Sequence, residues 1–316
     1  MQINTYQYIF LFVTVLFVSY AITPKIRDFA RKSNILDHPG GRKLQASPVA
    51  YLGGFAIIIP ITFGSLFVLF SSINLDSKRE LYLGLIIPAL FISIIGLIDD
   101  IFELKPWPRF LSQTIVGVIT SFMLYLTGAG VKVFENQVLN SCATIFWVVS
   151  IVNALNFIDN MDGLATCISI VASLALFVLS YMNGQYLVAA LSLAISAACF
   201  GFLKWNKRPA SIYLGDSGAL YLGFLLAAIS IRIDLQNESA LIRVLVLLFI
   251  LAIPAIDTTQ VVISRILKGK SPFQGGRDHV SHLLLNLGFS QSLIMFILIS
   301  ASLLFATAAI LLAEVI

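Results

Sequence analysis

Residues 141–182 read SCATIFWVVSIVNALNFIDNMDGLATCISIVASLALFVLSYM: two apolar runs joined by a link carrying Asn156, Asp159 and Asp162. An α-helix rises 1.5 Å per residue, so about twenty apolar residues cross a hydrocarbon layer roughly 30 Å thick. The runs at 141–157 and 164–182 therefore read as consecutive spans. Carboxylates at the end of a membrane-length segment are costly unless a cation meets them. Which cation does so depends on what else lies on the same side.

The rest of the chain has the same character. It has 316 residues, 59% of them hydrophobic and only 11% charged, with a mean hydropathy of +0.94. A soluble domain carries about 25% charged residues. Hydrophobic length predicts ten spans, at about 6–22, 50–70, 81–98, 110–127, 141–157, 164–182, 186–203, 218–232, 241–262 and 289–313;. The expected fold class is an all-α polytopic integral membrane protein of about ten transmembrane helices, a single domain over 1–316, with its active site in loops on one face. The spans at 141–157 and 218–232 are short and need extra helical turns or a thin bilayer. Cys142, Cys167 and Cys199 lie in apolar runs without metal-ligand spacing and read as small buried hydrophobes;. The first run lacks a preceding positive charge and a small-residue cleavage site, which fits a retained helix.

Alternation of the spans gathers loops 23–49, 99–109, 158–163, 204–217 and 263–288 on one side. They hold fifteen of the twenty Lys and Arg residues, which by the positive-inside rule makes that side cytoplasmic and both termini outward;. The same loops hold all three histidines (His38, His279, His282) and Asp99, Asp100, Asp159, Asp162, Asp216, Asp257 and Asp278. Such segregation points to one cytoplasmic site.

The chemistry lies in five segments. GLIDD at 96–100 puts two adjacent carboxylates at a membrane edge, where their repulsion calls for a metal, a shared proton or a cation such as Arg109 or Lys105;. NALNFIDNMDGLA at 153–165 offers Asn153, Asn156, Asp159 and Asp162 three residues apart. Helix capping needs one such residue; four oxygen-bearing side chains suit Mg²⁺, which takes hard oxygen ligands and keeps waters or substrate phosphates;. GDSG at 215–218 resembles the nucleophile segment of chymotrypsin-like proteases, but the strand context is missing, and Asp216 reads as another oxygen ligand on a Gly-flanked turn;. Segment 268–288 carries Lys268, Lys270, Arg277, His279 and His282. Without HExxH or a third soft ligand it fits an anionic phosphate or sugar better than zinc;. Arg42 and Lys43 precede the second span, and Asp257 ends LAIPAID, either as a functional group or paired with a loop cation such as Arg265.

In order, GLIDD, NxxNxxDxxDGLA, GDSG, DTxxxxxxRxxxGxSPF and RxHxxH, the set from Asp37 to His282 resembles the polyprenyl-phosphate N-acetylhexosamine-1-phosphate transferases, the glycosyltransferase family 4 type that initiates surface polysaccharides and teichoic acids. The resemblance implies transfer of a sugar 1-phosphate from a UDP-sugar to a polyprenyl phosphate, with release of UMP. It implies Mg²⁺, with Mn²⁺ as an alternative ion, held by Asn156 and Asp216. It places Asp162 in the nucleotide-sugar pocket, Arg109 on the lipid phosphate, and Lys43, Arg277, His279 and His282 among the substrate-binding residues. Asp99 is expected to position or deprotonate the attacking lipid phosphate, supported by Asp100 and Asp159; direct and covalent routes both remain open.

The partners so implied are a UDP-sugar donor, a polyprenyl phosphate acceptor and the bilayer, with no nucleic acid; the oligomeric state stays open, a homodimer included. The chain departs from the family pattern at Gln45, at Ala50 and Tyr51, and at Ser281, where relatives carry a histidine of HxHH. Absence of a run of three histidines favours a surface-polysaccharide initiator, such as one of O-antigen synthesis, using UDP-GlcNAc or a related UDP-2-acetamido sugar over the muramoyl-pentapeptide branch. Two other readings use the same acidic cluster. An ion-coupled transporter would place it near the bilayer midplane in repeated halves, and a membrane lipid phosphatase would need no nucleotide.

Overall fold

The structure is a computed structural model that describes residues 3–38, 47–71, 76–102, 104–126, 130, 131, 133–233, 235, 239–271, 276 and 278–314. Lys43 and Arg277, with Arg42 and Gln45, lie outside these described residues. The helices are α1 (Thr5–Lys32), α2 (Phe55–Ser71), α3 (Asp76–Phe102), α4 (Pro106–Leu126), α5 (Gln137–Ile158), α6 (Leu164–Met182), α7 (Tyr186–Asn206), α8 (Gly215–Arg232), α9 (Ala240–Ile250), α10 (Ala252–Leu267), α11 (Val280–Asn286) and α12 (Gln291–Glu314). A two-stranded antiparallel hairpin, β1 (Leu36–Asp37) and β2 (Val49–Ala50), joins them.

The all-α polytopic class holds, and the count of ten spans is not confirmed. Among the described residues seven helices are long and apolar enough to cross a membrane, or eight if α9 and α10 form one broken span. The expected span at 241–262 is two helices meeting at Leu251 with an 82° bend. The apolar described part of α2 covers only Phe55–Leu66. The third shortfall is α8, whose eighteen residues carry Asp216 in the first turn and Arg232 in the last. Helix α1, by contrast, runs ten residues past the predicted end at 22, which at 1.5 Å per residue lifts Arg31 and Lys32 about 15 Å clear of the apolar run;.

The buried helix on which the site depends is α8. Every residue from Ser217 to Ile231 is buried, and a helix apolar on all sides belongs in a core. It packs on α3 and α5, and its first turn is placed by close backbone approaches. A Cβ on Gly54 would come within 2.5 Å of the Gly218 nitrogen, and one on Gly96 within 2.6 Å of the Asp216 carbonyl and the Ser217 nitrogen. The segment leading into α8 is strapped to the hairpin: Tyr213 N–H donates to the Ala50 carbonyl, and Gly53 and Gly54 N–H donate to the Tyr213 and Leu214 carbonyls, at 2.8–2.9 Å. Tight backbone contact thus fixes the end of α8 where Asp216 sits.

On the outer side, α4 presents Trp107, Leu111, Ile115 and Phe122 outward, an exposed apolar stripe at helical spacing suited to lipid;.

Gly96→Ala should force α3 and α8 apart, because the obstructing atoms are backbone. Overpacking of this kind costs about 1–3 kcal/mol. The expected result is a lower unfolding temperature in detergent, with activity falling as Asp216 moves; an unchanged melting curve would show that the interface yields elsewhere.

Candidate active site

Four helix ends converge at one face of the bundle: the C-terminal turns of α3 and α5 and the N-terminal turns of α4 and α8. The centre of the site is built on helix termini, with loop residues beside it. At its centre is Arg109. Its Nη1 donates to Asp99 Oδ2 and, at 3.0 Å, to Asp216 Oδ2, while Nη2 donates to Asn156 Oδ1 at 2.9 Å. Asn156 Nδ2 in turn donates to Asp216 Oδ1 at 2.7 Å. Three helices, α3, α5 and α8, each present an oxygen to a guanidinium from a fourth, and the fork of donors on arginine suits that arrangement.

The two adjacent carboxylates do separate jobs. Successive side chains on a helix diverge by about 100°, so Asp99 and Asp100 face different neighbours. Asp99, buried, meets Arg109 and accepts the Leu104 N–H at 2.7 Å. Asp100 reaches the start of α8: its two oxygens accept the Asp216 and Ser217 N–H groups at 2.8 and 3.1 Å. Those are otherwise unmet donors of a helix N-terminus, so Asp100 caps α8 from α3 and thereby fixes the backbone of Asp216.

Beside the cluster lies a cavity of 530 Å³ whose wall includes Asn156, Asp159, Asp162, Asp216, His282 and Arg208. Asp162 Oδ2 accepts the Ala210 N–H at 3.0 Å, tying the 159–163 turn to the segment before α8. That turn is completed by Gly163, whose φ of +77° lies in the left-handed region open to glycine;. Asp159 follows α5 directly. Burial first, and then the charges of Asp216 and Asp162, push its carboxyl from 3.8 up to about 7;. The phenols of Tyr51 and Tyr213, also in the wall, are pushed up mainly by burial and stay neutral.

Comparison with known proteins bears on this arrangement. Residues 82–234, which hold the whole cluster, match the glycosyl transferase family 4. Over 310 residues the chain is 30% identical to the probable undecaprenyl-phosphate N-acetylglucosaminyl 1-phosphate transferase of Bacillus subtilis (strain 168), covering 95% of this chain and 84% of that protein. It is 30% identical over 309 residues to the undecaprenyl-phosphate alpha-N-acetylglucosaminyl 1-phosphate transferase of Escherichia coli (strain K12), covering 94% and 80%. A decaprenyl-phosphate N-acetylglucosaminephosphotransferase of Mycolicibacterium smegmatis is 29% identical, covering 88% and 75%. The chain belongs to the polyprenyl-phosphate N-acetylhexosamine-1-phosphate transferases. It is an enzyme of the phosphoglycosyl transferase type, and neither the transporter nor the phosphatase reading is favoured.

In this transferase the expected residues divide into three groups. Asp99, Arg109, Asn156 and Asp216 come together, with Asp100 behind them and Asp159, Asp162 and His282 along the cavity. His279 is set back: it is buried, its Nδ1 pairs with Asp257 Oδ2 at 2.7 Å, and its ring stands 5.9 Å from that of His282. Lys43 and Arg277 are outside the described residues.

One expectation is corrected: Asn153 does not join the oxygen cluster; its Nδ2 donates to Gln113 Oε1 and to the Val149 carbonyl, clamping α5 to α4 one turn inward. Asp257, open between a functional and a paired role, pairs with the loop residue His279, and Arg265 pairs with Asp278 at 3.2 Å. The hydrogen bond from Lys268, and then that from Arg265, holds the Asp278 carboxyl below its usual range. Asp37, Tyr51, Tyr213 and Arg208 line the cavity but were missed as site residues, because only the strap between the hairpin and α8 brings them together.

The raised carboxyl of Asp159 has a pH signature. From 3.8 to about 7 the folded protein keeps a proton that the unfolded chain has lost. This group's contribution thus favours the fold most below that window and is lost as pH rises through it. Asp159→Asn, neutral throughout, should flatten the fall in unfolding temperature between pH 5 and pH 8; an identical slope in the variant would remove Asp159 as its source.

Proposed function

We propose that this transferase moves N-acetylglucosamine 1-phosphate from UDP-GlcNAc, or a related UDP-2-acetamido sugar, to undecaprenyl phosphate, releasing UMP. It works at the cytoplasmic face of the plasma membrane and starts a lipid-linked envelope polysaccharide. The observation that carries this reading is the Arg109–Asp99–Asp216–Asn156 cluster opening on one cavity at the end of the bundle. The charge asymmetry of the loops supports the cytoplasmic assignment, and the named relatives support acceptor and donor.

In the net reaction the bond between the β-phosphorus and the bridging oxygen of UMP breaks. A bond from that phosphorus to a lipid phosphate oxygen forms, giving a lipid diphosphate sugar. The donor set fits Mg²⁺. Asn156 and Asp216 offer oxygens already gathered around a positive group, Arg109, so the pocket favours cations. Among the described residues no three His, Cys, Asp or Glu side chains form a ready metal site, in keeping with an ion that takes one or two protein ligands and completes its shell with phosphate and water. When bound, the ion would neutralise pyrophosphate charge and orient the reacting groups.

Each residue then has a task. Arg109 binds the lipid phosphate. Asp99, paired to Arg109, holds that guanidinium in place and accepts a proton from the acceptor where one remains. Asp100 keeps Asp216 aimed through the backbone of α8. Asp159 and Asp162 face the donor side, and His282 contributes an N–H to the pyrophosphate or sugar.

Purified protein given Mg²⁺, undecaprenyl phosphate and UDP-GlcNAc should release UMP, and do so only when lipid and donor are both present. Asp216→Ala and chelation of the metal should each reduce release to background. UMP formed without lipid, or undiminished in the variant, would sink this reading.

A further inference from the structure

The short helix α11 carries His282 to the cavity, yet at seven residues it is too short to hold its own orientation; isolated helices of this length are marginal;. Its placement comes from its neighbours: Val280, Leu284 and Leu285 pack against the core, and the polar ties cluster in the two residues before His282 and the residue at its N-cap. His279 Nδ1 meets Asp257 Oδ2 at 2.7 Å, and the Val280 N–H donates to Asp257 Oδ1 at 2.8 Å. Both fasten the start of α11 to α10. Toward the turn after α5, Ser281 Oγ donates to Asn160 Oδ1 at 2.7 Å. Asn160 has its amide orientation set, because its Nδ2 donates to the Phe157 carbonyl at 2.9 Å and leaves Oδ1 to accept. Ser281 is only 1% exposed, so nothing in water replaces that bond;.

We propose that the Ser281–Asn160 hydrogen bond, opposed by Asp257, is the mount that sets His282 against the donor, which makes Ser281 a positioning residue for donor binding. The inference rests on the reading of the cavity as the UDP-sugar site. Asn160 stands between Asp159 and Asp162, so the bond ties the helix bearing His282 to the turn that lines the same cavity with carboxylates. Ser281 is also where the chain departs from the histidine of its family's pattern. The hydroxyl is small enough to be buried against the turn and leaves the wall to His282. With the bond removed, α11 loses its tie to the 159–163 turn, and His282 shifts relative to the donor while the Arg109 cluster stays as it was.

The test is steady-state UMP release by Ser281→Ala, Asn160→Ala and the double variant, each titrated separately in UDP-GlcNAc and in undecaprenyl phosphate. Either single change should raise the donor KM by roughly three- to tenfold, the range expected for one hydrogen bond. The lipid KM and kcat should stay near wild type, and the double variant should be no worse than a single one, because both remove the same bond. An unmoved donor KM, effects that multiply in the double variant, or a loss that falls on kcat or on the lipid KM would each overturn the mount. Should one variant fail to fold, the other reads the same bond from its far side. Wild-type protein that forms no UMP with any UDP-sugar overturns the reading of the cavity itself; wild-type turnover with insensitive variants overturns the mount alone.

Discussion

The guanidinium of Arg109 is the point on which the site depends. Three helices end in oxygens that would repel one another if brought together alone, and a fourth helix supplies the positive charge that lets them meet. Asp99 is buried, and a buried carboxylate survives only with a partner close at hand. Removing the arginine would therefore unbalance α3, α5 and α8 together. A single cation at a helix N-terminus thus gathers an anionic surface.

That gathering is possible because α8 is held to ångström tolerance. Its apolar sides bind it in the core, and glycines at 54, 96 and 218 let neighbouring backbones approach its first turn. Asp100 completes the hold by capping the helix from α3. A residue that looks in sequence like half of a catalytic pair thus serves, in space, to aim a third carboxylate.

Much of this was legible in the sequence, and the misses have definite causes. Hydrophobic length located each apolar helix, since the cost of exposing backbone in lipid leaves few alternatives. It gives ten spans where seven or eight described helices meet the length and hydropathy of a crossing, because a run such as 241–262 does not reveal a bend at Leu251, and a fully buried helix such as α8 need not satisfy the hydropathy of a lipid-facing one. Three-residue spacing correctly grouped Asn156, Asp159 and Asp162. It wrongly added Asn153, because on α5 that residue turns toward Gln113 and away from the end of the helix. The Asp257–His279 pair was invisible, since twenty-two residues separate the partners and only the fold of α10 against α11 joins them. Lateral pairings of this kind leave no mark on local spacing.

The apolar stripe on α4 has a consequence for traffic. Arg109 stands on the same helix as Trp107, Leu111 and Ile115, which face outward, while the cavity wall is drawn from the end of α5, the 159–163 turn, the segment before α8 and His282. On the proposed function the two reactants therefore come from different phases: the isoprenoid slides in sideways from the leaflet, and the nucleotide drops in from water. Substrates that use separate doors do not compete for a threshold, and each product can leave by the phase in which it is soluble. The enzyme would then be a two-phase reactor whose interface is one arginine wide.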